Sequence, residues 1–407
     1  MVLGALAGGL LVGAWAQTAG LPGGAATAEM IAALGQLWLN ALRMTIVPLV
    51  FSLLVVGIAS IADAARTGRT AARAVAIFAA LIVGATLYAV GAAYGLLALW
   101  PIDPAGGAAL VAGAPTAPEG IGQSAPFSAF VQTIAPANPI RAAAEDAILG
   151  LVVFAVFFGF AASRLPERLR VPLVTVFEAV AETMIVIVRW VLAFAPLGVF
   201  ALALGVGLSA GIGAAGTLVH YVAVISLSCL GITLLMYPLV VLFGRVGLFS
   251  FARAAAPAQV VAFSTQSSLA SLPVMVERAV DALGISRPAA GLVLPLAVAV
   301  FRITSPVANL GVAIYVAHLF GLEPSAGQLV AAGLAAILVS IGTVGLPGQV
   351  SFFASIAPIC IAMGVPLEVL PLLLAVEVIP DIFRTVGNVT ADLAVTRLVE
   401  PSAAERR

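Results

Sequence analysis

The sequence predicts an all-α polytopic membrane protein with eight transmembrane helices and two re-entrant helical hairpins. Three observations carry this. First, 62% of the 407 residues are hydrophobic and only 9% are charged, with a mean hydropathy of +1.19; a soluble domain carries about 25% charge. Second, apolar runs near the roughly 20 residues needed to cross a bilayer recur along the chain. Third, FSTQSSLASLP (263–273) and SIGTVGLPGQV (340–350) are rich in hydroxyl, Gly and Pro residues, yet each sits between apolar stretches too short for two full crossings. Non-helical backbone at membrane depth is tolerated only where protein or a watery cavity covers it, so both read as re-entrant tips.

In chain order, the first span covers 2–19; with no basic stretch before it, it reads as a span and not as a cleaved leader. The second covers 38–61 and the third 72–100, followed by a polar, Gly/Pro/Ala-rich loop at 101–125. Region 126–163 is interrupted by PANP (136–139) and runs apolar from Ile148 to Ala162 as the fourth span. A long fifth span is expected at 171–207 and a sixth at 216–243. Hairpin 1 (250–279) then precedes span 7 (290–317), and hairpin 2 (325–362) precedes span 8 (366–397), so one unit occurs twice. Arg278 and Arg287 follow the first hairpin, placing its entrance inside; the flank of the second, 318–328, has Glu323 and no Arg, placing its entrance outside. Two such units of opposite topology form an inverted repeat, with a binding site between them near the midplane. The competing reading is a pair of ordinary Ser/Gly helix contacts.

All 18 basic residues are Arg, balanced by 18 acids, so net charge gives no sign of nucleic-acid binding. Arg66, Arg69 and Arg73 follow span two, Arg164, Arg168 and Arg170 follow span four, Arg245 and Arg253 follow span six, and Arg397, Arg406 and Arg407 close the chain. The alternate loops are poor in Arg, which places both termini in the cytoplasm. Arg43 is expected to snorkel to the interface. Glu178, Glu182 and Arg189 are spaced for pairing within the fifth span, His318 reads as an interfacial residue, and Cys229 and Cys360 read as small core residues.

The chemistry concentrates in EVIPDIFRTVGNVTAD (377–392). As a helix, Glu377, Asp381, Arg384, Thr385, Asn388 and Asp392 fall on one face within about 100°. Ionisable groups at membrane depth are costly and usually mark a substrate or ion pathway; an interhelical ion-pair network is the plainer alternative. A guanidinium suits a carboxylate, and Asp381 one turn earlier offers acceptors for an ammonium. Together Arg384 and Asp381 favour an acidic amino acid.

The chain resembles the dicarboxylate/amino acid:cation symporters, which include archaeal aspartate transporters and animal excitatory amino-acid transporters. The resemblance is carried by MTIVPLVFSLLVVGIASIAD (44–63), APANPI (135–140), FAPLGVFAL (194–202), FSTQSSLASLPV (263–274), SIGTVGLPG (340–348) and DIFRTVGNVTAD (381–392). It implies a glutamate-transporter-like homotrimer. In each protomer residues 1–249 would be mainly scaffold, spans 3 and 6 packing with the transport core. Residues 250–400 would be that core, moving elevator fashion, and 401–407 a cytoplasmic tail. It implies substrate contacts from Ser267 and Ser268 at one tip, a gate around Gly345 and Gly348 at the other, an α-amino partner in Asp381, a carboxylate partner in Arg384, polar contacts from Thr385 and Asn388, and cation coordination by Asp392. No enzymatic step is implied, and no cofactor beyond a coupling Na+ or H+.

One stretch departs from the family. The Asn-Met-Asp-Gly-Thr motif of its seventh span is here Phe301, Arg302, Ile303, Thr304 and Ser305, and Ala299 replaces a cation-lining Thr. Sodium takes oxygen ligands, so two sodium sites are expected to be altered or lost. Arg302 has three open roles: a fixed substitute for a bound cation beside Asp392, a second carboxylate-binding group favouring dicarboxylates, or a plain ion-pair partner. Coupling would then use fewer sodium ions, protons through Glu377 or Asp381, or no ion. The expected function is secondary active transport of an acidic amino acid or C4-dicarboxylate across the plasma membrane. An anion channel or uncoupled carrier is the alternative. A hydrolase using Ser267, Ser268 and His318 lacks any supporting motif.

Overall fold

The computed structural model describes residues 2–19, 24–66, 68–112, 136–145, 148–210, 214–342 and 348–400, and every regular element among them is a helix. Met1, the tail 401–407 and the tip 343–347, with Gly345, lie outside the described residues.

The first half is built by close helix pairing. Helix α1 (Val2–Ala19) lies along α9 (Ala195–Ala210). Gly9 and Gly13 form a small-xxx-small seam. A Cβ at Gly9 would sit 2.6 Å from the Phe200 carbonyl oxygen, and one at Gly13 2.5 Å from that of Leu204. The second span is divided into α2 (Gly24–Arg43) and α3 (Ile46–Arg66). Pro48 has no N–H for the Met44 carbonyl, and the Thr45 hydroxyl turns back to donate to Leu42 O at 2.8 Å. Helix α4 (Arg69–Leu99) matches the third span.

The expected loop after it holds α5 (Pro104–Ala112). Its start signal is Asp103, whose carboxylate accepts from Gly106 N at 2.8 Å, followed by a proline in the first helical position. The PANP break behaves as expected. Asn138 Oδ1 accepts from Ile140 N at 3.0 Å and Arg141 N at 3.1 Å, capping α6 (Pro139–Ala144), which leads to α7 (Ile148–Ser163). The fifth span is not one long helix. It divides at Phe194 into α8 (Glu167–Ala193) and α9, because Pro196 cannot donate to the Leu192 carbonyl. Helix α10 (Ala214–Gly244) is the sixth span.

In the second half, α11 (Leu248–Thr265) and α12 (Ser268–Asp281) form a packed hairpin. Its turn places Gln266 in left-handed conformation (φ 51°, ψ 33°), and Ser267 Oγ caps α12 by accepting from Ala270 N at 3.2 Å. The seventh span is two helices, α13 (Arg287–Val300) and α14 (Thr304–Leu319), separated by an extended Phe301. The Phe301 ring stacks on Phe78 of α4 at 4.7 Å. Helices α15 (Ala326–Gly342) and α16 (Gly348–Met363), in the stretch expected as the second hairpin, pack on each other. The stretch expected as the eighth span holds a short α17 (Leu370–Val376) and a long α18 (Val378–Val399), with Glu377 at the joint.

Helices α14 and α18 are buried along nearly their whole length and form the centre. Helix α18 packs against α4, α10, α11, α12, α13 and α14. At Gly387 a Cβ would lie 2.5 Å from both Thr233 Oγ1 of α10 and Thr304 Cγ2 of α14, so glycine lets three backbones converge there. Five stretches among the described residues, Ala33–Asp63, Arg69–Leu99, Glu167–Ala193, Ala214–Gly244 and Arg287–Leu319, are long and apolar enough to cross a membrane. Several shorter apolar helices join them, so the molecule is a multi-pass membrane protein. Arg43 does not snorkel freely: its Nη2 donates to Glu368 Oε1 at 2.9 Å, because the chain before α17 brings a buried carboxylate to it. Cys229 and Cys360 are buried free thiols, and His318 is exposed beside Tyr94.

Candidate functional site

The polar stripe of α18 faces inward. Asp381, Arg384, Thr385 and Asn388 are buried, while Glu377 and Asp392 have no exposed surface at all. Burying six such groups requires partners, and an interlocked set of hydrogen bonds joins several of them. Arg384 Nη1 donates to Glu377 Oε1 at 2.7 Å, and Nη2 donates to Asn309 Oδ1 of α14 at 2.9 Å. Tyr221 of α10 donates its hydroxyl to Glu377 Oε2 at 3.2 Å. Asn309 Nδ2 in turn donates to Ser305 Oγ at 3.1 Å. One turn further on, Asn388 Oδ1 accepts from Thr304 N at 3.1 Å and Thr304 Oγ1 at 2.8 Å. Asn388 thus satisfies the start of α14, where intrahelical acceptors are lacking. Thr385 donates to the Asp381 carbonyl of its own helix at 2.9 Å.

Two groups complete the cluster. Arg302, in the break between α13 and α14, is partly buried and lies within electrostatic reach of Arg384, Asp381 and Asp392. Asp392 has both carboxylate oxygens buried without a hydrogen-bond partner. An ionised carboxylate in that setting calls for a cation or a proton. Arg302 acts on Asp392 through space, without a hydrogen bond to it. Phe301 and Ile303, which replace two family oxygen donors, are fully packed at 0% and 1% exposure. The cluster holds three carboxylates and two guanidiniums, net −1 if all are ionised.

The first hairpin meets this stripe. Gln266 Nε2 donates weakly to the Val378 carbonyl at the start of α18 (3.4 Å), and Ser267 and Ser268 occupy the adjoining turn. The opening N–H groups of α12 lack intrahelical acceptors and favour an anion. Gly348 opens α16. Tyr221 and Asn309 escape the sequence reading; both lie in largely apolar runs without a charged neighbour, and only the packing of α10 and α14 on α18 joins them to Arg384.

Comparison with known proteins gives the family. Residues 1–402 match the model of the sodium:dicarboxylate symporter family. The chain is 29% identical over 381 residues to a proton/glutamate-aspartate symporter of Escherichia coli (strain K12), covering 91% of this chain and 85% of that protein. It is 31% identical over 327 residues to a C4-dicarboxylate transport protein of Rhodopseudomonas palustris, covering 79% of this chain and 71% of that one. It is 29% identical over 268 residues to excitatory amino acid transporter 3 of Mus musculus, covering 62% and 48%. These relatives are transporters and not enzymes. The chain, with its buried charged helix and flanking hairpins, belongs to the sodium:dicarboxylate symporter family.

Proposed function

We propose that this protein is a secondary active transporter of an acidic amino acid or C4-dicarboxylate in the plasma membrane, with both termini cytoplasmic and with reduced or altered sodium coupling. The observation that carries the reading is Arg384, a buried guanidinium on the central helix with Asp381 one turn before it. A charged group at membrane depth is costly and usually marks a substrate or ion pathway. The cargo's carboxylate would take the fork of Arg384, with help from Thr385, Asn388 and the turn at Ser267 and Ser268. Asp381 would take an ammonium where the cargo has one. Arg302, a second guanidinium within reach of Arg384, favours a cargo with two carboxylates. Gly345 and Gly348 would belong to the outer gate.

Residues 250–400 would move as the transport core, carrying spans 3 and 6 with them against the remainder of 1–249 in a homotrimer. Packing of α4 and α10 on α14 and α18 supports that division. Cation coupling would run through Asp392 and Asn388, and through Glu377 for a proton. Phe301 and Ile303 supply no oxygen ligands, which supports fewer bound sodium ions than the family motif provides. The second reading, an uncoupled carrier or anion channel on the same fold, is favoured by the charge that Arg302 supplies covalently.

The test is uptake of labelled aspartate and succinate into proteoliposomes, with sodium replaced by choline at fixed pH. Retained uptake is expected; complete loss rejects altered coupling. Arg384→Ala should abolish uptake of both. Saturable exchange between the two sides marks a carrier, whereas unitary currents mark a channel.

A further inference from the structure

We propose, resting on the substrate reading above, that Glu377 is a built-in stand-in for the cargo's carboxylate, which holds the fork of Arg384 and must yield it when cargo binds. Both terminal nitrogens of Arg384 are engaged by protein: Nη1 by Glu377 Oε1 at 2.7 Å and Nη2 by Asn309 Oδ1 at 2.9 Å. The first of these contacts is carboxylate to guanidinium, the same chemistry an acidic cargo would offer. Asp381 also acts on the same guanidinium electrostatically. A cargo carboxylate would therefore bring a third negative group to the Arg384 fork, whose two terminal nitrogens are already taken, in a low-dielectric setting, and the fork cannot receive it without releasing Glu377.

Glu377 is the group built to leave. It sits at the joint of α17 and α18 and not within either helix. Its backbone N–H makes a tight three-residue bond to Leu374 O at 3.2 Å, the kind of contact that short rearrangements exchange. Among the described residues, the Tyr221 hydroxyl, at 3.2 Å, steadies its second oxygen. Asp381, by contrast, lies inside α18, with its N–H bonded to Glu377 O at 2.9 Å. Tyr221 is then a positioning residue for the stand-in and does not itself meet the cargo.

The consequence has a sign that a merely structural ion pair lacks. Removing the competitor should tighten cargo binding, whereas removing a prop for Arg384 should weaken it. The experiment is calorimetric and thermal-shift titration of the full chain in nanodiscs with L-aspartate and succinate, and with L-serine as the neutral probe. For Glu377→Gln the expected result is at least fivefold tighter aspartate and succinate binding, no gain for serine, a lower melting midpoint without ligand and a larger rise with it. Tyr221→Phe, which removes one hydroxyl and keeps the ring, should move affinity in the same direction by a smaller factor. It decides the matter alone if Glu377→Gln does not fold. Unchanged or weaker aspartate binding in these variants, while Arg384→Ala abolishes binding, overturns the stand-in role and leaves the substrate reading intact. Aspartate binding that survives Arg384→Ala overturns the substrate reading itself.

Discussion

Replacing Arg384 with Met is a direct probe of how the centre of the bundle is held. Met keeps the length of the side chain but removes the cation. Glu377, with no exposed surface, then loses its 2.7 Å partner and keeps only Tyr221. Breaking a buried pair from one side costs about 3–5 kcal/mol. The stranded amide oxygen of Asn309 adds about 1 kcal/mol. Replacing Glu377 with Met as well removes the stranded charge, and apolar replacement of a whole buried pair is often nearly neutral. The double variant should therefore recover about 3 kcal/mol of the single variant's loss. At about 2 °C per kcal/mol, Arg384→Met should melt on the order of 8–12 °C low, and the double variant within a few degrees of the parent. The protein carries its own reporters: Cys229 and Cys360 are both fully buried thiols, so a thiol-reactive fluorophore signals unfolding. Midpoints compared at one scan rate guard against irreversibility. If the two single losses simply add in the double variant, the pair is not coupled, and the account of Arg384 as an anchored cation is wrong.

Three further outcomes are expected. Arg302→Met removes the fixed charge near Asp392 and should make thermal stability, and uptake, more responsive to sodium over choline; an unchanged sodium response assigns Arg302 to ion pairing alone. Asp392→Asn should raise the melting midpoint in sodium-free buffer, because a buried carboxylate without a hydrogen-bond partner no longer carries its desolvation cost; a lower midpoint would show that the carboxylate is paired. Gly387→Ala should cost about 1–3 kcal/mol by overpacking, since its Cβ would lie 2.5 Å from Thr233 Oγ1 and Thr304 Cγ2. Gly216→Ala, where a Cβ meets nothing within 4 Å, is the matched control and should be neutral.

The sequence by itself determined the class of molecule and the helix that carries the charges. These follow from signals that are local in the chain: hydropathy over twenty residues, the 3.6-residue period of 377–392, and turn residues such as Ser267 and Asn138. Local signals also explain what was missed. The breaks at Thr45 and Phe194 follow from Pro48 and Pro196 but lie inside largely apolar runs that read as single spans, and α5 begins at Asp103 with Pro104 in a stretch whose Gly/Pro/Ala composition reads as a loop. Tertiary structure alone decided who meets whom. Tyr221 and Asn309 reach the cluster because α10 and α14 pack on α18, and Arg43 meets Glu368 across more than 300 residues of chain. Arg384 is engaged by Glu377, two turns earlier, because the helix is jointed there. A helical wheel gives the face on which a charge lies; its partner depends on which buried surfaces are pressed together, and that is a property of the packed bundle.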